Sequence, residues 1–265
     1  MARDAEIEQS ILLRDDSGGI ATLTLNRPKS GNSLSHGLVD ALQAAMNDIA
    51  DDPSVRVVVL AAAGRLFCTG HDLNESLASN DPEVKRRANI TCSAMMQSIV
   101  KLPKPVIAKV GGVATAAGCQ LVASCDLAIA STTARFATPG VNIGLWCLTP
   151  QVAVSRAIAP KHAMEMLLTG KLIDAETAVR FGLINRAVAP DELDQAVAEL
   201  AGEIAGKSPF TVALGKQSFY RQLEMKLGEA YDYAGELIYR NIQAEDAREG
   251  IAAFLEKRPA EWKGR

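Results

Sequence analysis

Gly111-Gly112-Val113-Ala114-Thr115-Ala116-Ala117-Gly118-Cys119-Gln120-Leu121 follows directly on the apolar run Val106–Val110. The run reads as a buried strand, and the small residues after its Gly-Gly turn lead into a short apolar helix from Ala116 to about Ser124. A helix N-terminus has free N–H groups and a positive partial charge. With only small side chains around it, that backbone is open to a ligand oxygen. A further strand is expected at Leu127–Ala130.

Upstream, the chain offers a second turn of the same kind. Val55–Ala61 reads as a strand buried on both faces, and Ala63-Gly64-Arg65-Leu66-Phe67-Cys68-Thr69-Gly70-His71-Asp72-Leu73 follows it. Two fixed main-chain N–H donors aimed at one thioester carbonyl oxygen would stabilise the enolate, on the order of 3 kcal/mol per donor. Taken singly, either loop reads first as a turn packed closely against a helix.

Further out, Ile11–Arg14 and Ile20–Leu25 flank Asp15-Asp16-Ser17-Gly18-Gly19 and read as a hairpin. After a loop over Asn26–Leu34, Ser35 is a candidate N-cap, and Leu38, Leu42, Met46 and Ile49 with Val39 and Ala45 mark one helical face. Asp51-Asp52-Pro53 ends that helix. Strand, helix and strand in succession predict a right-handed βαβ crossover, and a helix over Val84–Lys101 begins the next repetition. Beyond Pro150 the pattern is helical almost throughout, with breaks at Pro160, Gly170, Gly182, Pro190, Pro209 and Gly228. The expected organisation is an α/β core over residues 1–200 and a helical C-terminal region over 201–265.

With 265 residues, 48% hydrophobic and 22% charged, the composition is that of a soluble globular protein. A net charge of −3 argues against a nucleic-acid partner. No apolar stretch is long enough to span a membrane, and the N-terminal MARDAEIEQS has no apolar leader core. The five scattered cysteines, Cys68, Cys92, Cys119, Cys125 and Cys147, fit a reduced cytoplasmic compartment. There is no G-x-G-x-x-G after a strand, no P-loop and no G-x-S-x-G elbow, which sets aside hydride transfer, nucleotide hydrolysis and serine hydrolysis. His36, His71 and His162 are too far apart in sequence for a local metal motif, and no metal is expected.

The two loops, in this order and at this separation, resemble the crotonase (enoyl-CoA hydratase/isomerase) superfamily. The similarity runs from Leu25-Asn26-Arg27-Pro28 to Glu249–Arg258 and takes in Leu102–Ala108 and Leu168-Thr169-Gly170. The resemblance implies an α/β fold: a ββα spiral core with a helical C-terminal trimerisation region, assembled as a homotrimer or homohexamer. It implies an acyl-CoA thioester substrate, with coenzyme A as part of that substrate and no separate cofactor. The main-chain N–H groups of His71 and Ala117 would be the oxyanion-hole donors. The CoA adenosine end would lie near Lys29, Ser30 and the Thr69–Asn74 loop, with Phe254 and Lys257 reaching it from a neighbouring subunit.

The chain departs from that family at the acid/base positions. The two glutamates of typical hydratases fall here on Gln120 and Gly140. An amide can orient water but cannot take a proton near neutral pH, and glycine does neither. The His71 ring could transfer a proton or simply pack at the loop. Asp72 reads as a cap for the next turn, Cys119 and Cys147 as inert core thiols, Lys85-Arg86-Arg87 as a solvated helix face and Trp146 as a pocket wall. The leading expectation is an enoyl-CoA hydratase-like enzyme. The alternatives are an acyl-CoA decarboxylase or thioesterase of the same fold, or a catalytically silent CoA-thioester-binding protein.

Overall fold

The structure is a computed structural model that describes residues 10–265. The leader reading made on residues 1–10 therefore lies outside the described residues, apart from Ser10.

Strands β1 (Leu12–Ser17) and β2 (Ile20–Leu25) form the expected hairpin. Its turn is tighter than the sequence suggests. Gly18 and Gly19, at φ 60° and 81°, make a two-residue connection, and Asp15, Asp16 and Ser17 stay in the strand. Two consecutive positive φ values suit the right-handed twist of the flanking strands, so no longer loop is needed.

Helix α1 (His36–Asp51) starts where Ser35 Oγ accepts from the Leu38 N–H at 3.2 Å. It buries Leu38, Leu42, Met46 and Ile49. From there the chain repeats one unit. A long strand is followed by a short one and then a helical segment: β3 (Val57–Ala62), β4 (Leu66–Cys68) and helices α2 (Leu73–Ala78) and α3 (Pro82–Lys101); β5 (Val106–Val110), β6 (Val113–Thr115) and α4 (Ala117–Ser124); β7 (Leu127–Ser131), β8 (Arg135–Ala137) and a 3-10 turn over Pro139–Ile143. The remainder is α5 (Leu148–Ala157), α6 (Pro160–Thr169), β9 (Ile173–Asp174), α7 (Ala175–Phe181), β10 (Arg186–Val188), α8 (Leu193–Ala205), α9 (Pro209–Gln222), α10 (Leu227–Gln243) and α11 (Glu245–Glu256).

The long strands build a six-stranded sheet in the order β1-β2-β3-β5-β7-β10, parallel except for the hairpin. The short strands stack into a second sheet in the order β4-β6-β8-β9. Each repeat thus advances one position in both sheets, which is the ββα spiral. The short strands β4, β6 and β8 escape a sequence reading because three residues are too few to show a period. The helical reading beyond Pro150 also passes over β9 and β10, and Gly228 sits in the first turn of α10 rather than breaking it.

The main core lies between the two sheets and their helices, with Leu23, Leu60, Met95, Ile99 and Phe136 fully buried. The other face of the large sheet is closed by α8, whose Leu193, Val197, Ala201 and Ala205 pack on Val57, Val59, Ile107 and Ile129. A division at residue 200 falls inside this helix. Removing such side chains from water contributes about 1.5–3 kcal/mol for each large one. Among the described residues no helix is long and apolar enough to cross a membrane.

Candidate active site

Strands β4 and β6 run parallel with Cys68 opposite Ala114. Three residues beyond each, past the ends of both strands, the chain reaches His71 on one side and Ala117 on the other. The two residues, remote in sequence, thus lie just beyond the C-terminal ends of neighbouring strands. Thr115 Oγ1 donates to the Thr69 carbonyl at 3.2 Å and ties the two loops together. Gly70, at φ 101°, makes their approach possible, because a Cβ there would sit 2.8 Å from the Ala116 Cβ and 3.3 Å from the Ala117 nitrogen. Gly118 is needed for a different reason: a Cβ on it would run into the Cys68 carbonyl oxygen.

Among the described residues both amides lack a protein acceptor. Leu34 bridges the His71 loop, donating to the Gly70 carbonyl at 2.8 Å and accepting from the Asp72 N–H at 3.2 Å. In a parallel bridge these bonds flank His71, whose own N–H points the other way. Ala116 adopts φ 51°, ψ −119°, costly for a residue with a Cβ. Its N–H donates to the Ala137 carbonyl at 2.9 Å, and the next amide, Ala117, is free at the first position of α4. Among the described residues neither the His71 nor the Ala117 N–H has an acceptor. Both residues line a cavity of about 1220 Å³ whose walls include Cys92, Gly140, Trp146 and Cys147.

The His71 ring is neutral near pH 7. Burial, assisted by His36, holds its pKa below the usual imidazole range. Its Nε2 lies 3.3 Å from Cys92 Sγ, and burial pushes that thiol up to about 11. Asp72 caps α2, accepting from the Asn74 N–H at 3.2 Å, from Ser33 Oγ at 3.1 Å and from Arg27 at 3.1 Å. Burial opposes ionisation of Asp72, but these donors outweigh it and keep its carboxyl below the usual range. Glu75, on the cavity wall, accepts from the His36 N–H at 2.7 Å.

Of the residues singled out in the sequence, His71, Thr69, Ala117 and Gly140 come together around the cavity. Gln120 lies one turn into α4, 5% exposed and outside the cavity lining, with its Oε1 unpartnered. Gly140 is on the wall, but the chain has closed over the space a side chain would need: a Cβ would meet the Leu145 carbonyl oxygen at 2.7 Å and Cys147 Sγ at 3.0 Å. Lys29 and Ser30 sit in the exposed 3-10 turn beside the Thr69 loop, whose Thr69 N–H donates to the Gly31 carbonyl at 3.1 Å. Phe254 and Lys257 belong to α11 and its left-handed cap, away from this chain's own cavity. Trp146 is a wall residue, its indole N–H donating to Gln151 at 2.7 Å. Lys85 and Arg87 also border the cavity, while Arg86 pairs with Glu83. Arg27 and Cys92 were not singled out for a role by the sequence. Each acts through a partner distant along the chain, so no local pattern marks it.

The model of the enoyl-CoA hydratase/isomerase family matches residues 15–265. The chain belongs to the crotonase superfamily. It is 43% identical over 253 residues to the zebrafish (Danio rerio) enoyl-CoA hydratase domain-containing protein 3, mitochondrial, covering 96% of this chain and 88% of that protein. The crystal structure of an enoyl-CoA hydratase from Mycobacterium smegmatis superposes with a TM-score of 0.94 at 48% identity, covering 96% of this chain and 99% of the other. The human enoyl coenzyme A hydratase domain-containing protein 3 superposes at 0.93 with 42% identity, covering 96% and 100%. The expected spiral fold with its C-terminal helices is thereby established. The cytoplasmic expectation is contradicted: relatives from zebrafish, frog, rat and human are named mitochondrial. Free thiols report a reducing environment and do not distinguish one reducing compartment from another.

Proposed function

We propose that this crotonase-superfamily protein is an acyl-CoA-binding enzyme that stabilises a thioester enolate between the His71 and Ala117 amides. The supporting observation is that two unpartnered main-chain donors emerge together on one cavity. A thioester oxygen seated there gains most stabilisation when it carries most charge, as in an enolate. Donors already held by the strands need no reorganisation as that charge develops. Thr69, Lys29 and Ser30 would border the CoA arm, Phe254 and Lys257 of a second copy would complete it, and the assembly would be a trimer or hexamer.

A second reading is favoured by Gln120 and Gly140. With no carboxylate at either position, with Asp72 and Glu75 on the wall engaged by Arg27 and the His36 amide, and with the third wall carboxylate, Asp40, exposed to solvent, the cavity suits reactions that reach the enolate or oxyanion without those acids. Decarboxylation and thioester hydrolysis are such reactions, and simple binding needs no base at all. Crotonyl-CoA turnover, followed by ultraviolet absorbance, tests hydration, and methylmalonyl-CoA with product analysis tests decarboxylation. Acetoacetyl-CoA is expected to bind whichever reaction is catalysed; failure of this enolisable thioester to bind would end the acyl-CoA reading.

A further inference from the structure

The His71–Cys92 contact suggests chemistry that the oxyanion reading leaves unused. We propose that Cys92 is an acyl-accepting nucleophile, with the His71 ring as its base and the His71 and Ala117 amides as its oxyanion hole. The proposal rests on the acyl-CoA reading above and adds covalent acyl transfer to it.

Three features converge. Cys92, on α3, is 4% exposed, yet it lines the same cavity as the two free amides. Its Sγ is within 3.3 Å of His71 Nε2, a contact in which the thiol donates and Nε2 serves as base when the ring carries its proton on Nδ1. His71 contributes twice, its main chain to the oxyanion and its ring to the thiol. The thiol's high pKa rules out a standing thiolate, so attack requires proton removal in the same step. Burial keeps the imidazole in the neutral form that can take that proton, and also makes it a weaker base than a free imidazole, so the transfer is coupled to formation of the carbon–sulfur bond.

In the first half-reaction, Cys92 Sγ attacks the thioester carbonyl carbon as its proton passes to His71 Nε2. The carbonyl oxygen becomes an oxyanion against the two amides. Collapse breaks the bond between the carbonyl carbon and the CoA sulfur, and His71 returns the proton to the departing thiolate. The products are S-acyl Cys92 and free CoA thiol. In the second half-reaction His71 takes a proton from water as its oxygen attacks the acyl carbon, the bond to Sγ breaks and the proton restores the thiol. The net change is thioester plus water to carboxylic acid plus CoA, with no oxidant or reductant.

The test incubates the full-length protein with acetyl-CoA, butyryl-CoA and crotonyl-CoA, and follows CoA release by chromatography and the intact mass after acid quench. At least one thioester is expected to release CoA and leave an acyl mass that maps to Cys92. Cys92→Ser and Cys92→Ala should both lose the adduct, with unchanged melting temperature for at least one. His71→Asn keeps the main-chain donor, and should slow CoA release by about 100-fold while acetoacetyl-CoA still binds. Release that persists in both Cys92 variants, an acyl group on another cysteine, or an adduct that retains the CoA moiety would each overturn the proposal. So would binding of acetoacetyl-CoA with no release from any of the three thioesters, an outcome that leaves the acyl-CoA reading standing. Absence of acetoacetyl-CoA binding would remove both.

Discussion

At the scale of single residues, Gln120 and Gly140 differ in what they permit. Gln120 already has the length of a glutamate and sits at a buried position with an unpartnered oxygen. A carboxylate introduced there would have its pKa raised by burial, toward the range useful for proton transfer near neutral pH. Gln120 lies outside the cavity lining, so Gln120→Glu tests whether this α4 position reaches the substrate: if it does, crotonyl-CoA hydration is expected to rise by about 100-fold over the parent. An absorbance assay showing no increase, with acetoacetyl-CoA binding intact, would exclude this position as the acid/base site. Gly140→Glu should not help, because the Leu145 carbonyl occupies the space of the new Cβ. It is expected to cost about 2 kcal/mol of stability, read as a lowered denaturation midpoint. That positions 120 and 140 carry no carboxylate could be read from the chain. That the Gly140 position has closed could not, since the obstructing atoms come from residues 145 and 147, whose return to that point is a tertiary matter.

At the scale of elements, α9 is held to the core by one buried cation. Lys216 Nζ lies 2.7 Å from Asp126 Oδ2 and donates to the Ile99 and Lys104 carbonyls, both at 2.9 Å. Tyr220 OH, one turn further on, donates to Asp126 Oδ1 at 2.9 Å. Burial draws the Lys216 pKa below the usual lysine range, opposed by Asp126. Lys216→Ala would leave the Asp126 carboxylate, still held by Tyr220 and by the Val106 N–H at 2.7 Å, without its cation and would remove the donor to two carbonyls, and should cost about 3 kcal/mol, measured by chemical denaturation. Lys216→Ala together with Asp126→Ala should lose less than the two single changes combined. Strict additivity would show that the pair is uncoupled. The helices and strands with many apolar residues at one period, α1, α3, β3, β5 and β7, were legible locally, because each must bury a continuous stripe. The three-residue strands were not, because only pairing with neighbours makes them strands.

At the scale of the whole molecule, the C-terminal helices carry apolar surface that the described residues leave uncovered. Leu227, Tyr231, Ile238 and Ile242 are exposed at helical spacing along α10, and Phe254 and Leu255 on α11. Such a stripe is costly to leave in water and suits an interface between copies. The wild-type protein is expected to scatter light as a trimer or hexamer. Replacing Ile238 and Ile242 together with aspartate should shift it toward the monomer, since these side chains support no core of their own. A monomeric wild type at micromolar concentration would contradict the proposed assembly, and with it the completion of the CoA site by Phe254 and Lys257.

The order of small and apolar residues was by itself enough to determine the strand–turn–helix rhythm, the two glycine-containing loops and, through resemblance, the family. These are consequences of local sterics and of which side chains must leave water. Tertiary structure alone decided that His71 and Ala117 line one cavity, that the Cys92 thiol reaches the His71 ring, and that Gly140 has no room for a side chain. Each depends on segments far apart in sequence packing around one cavity, and no periodicity along the chain encodes a distance between such segments.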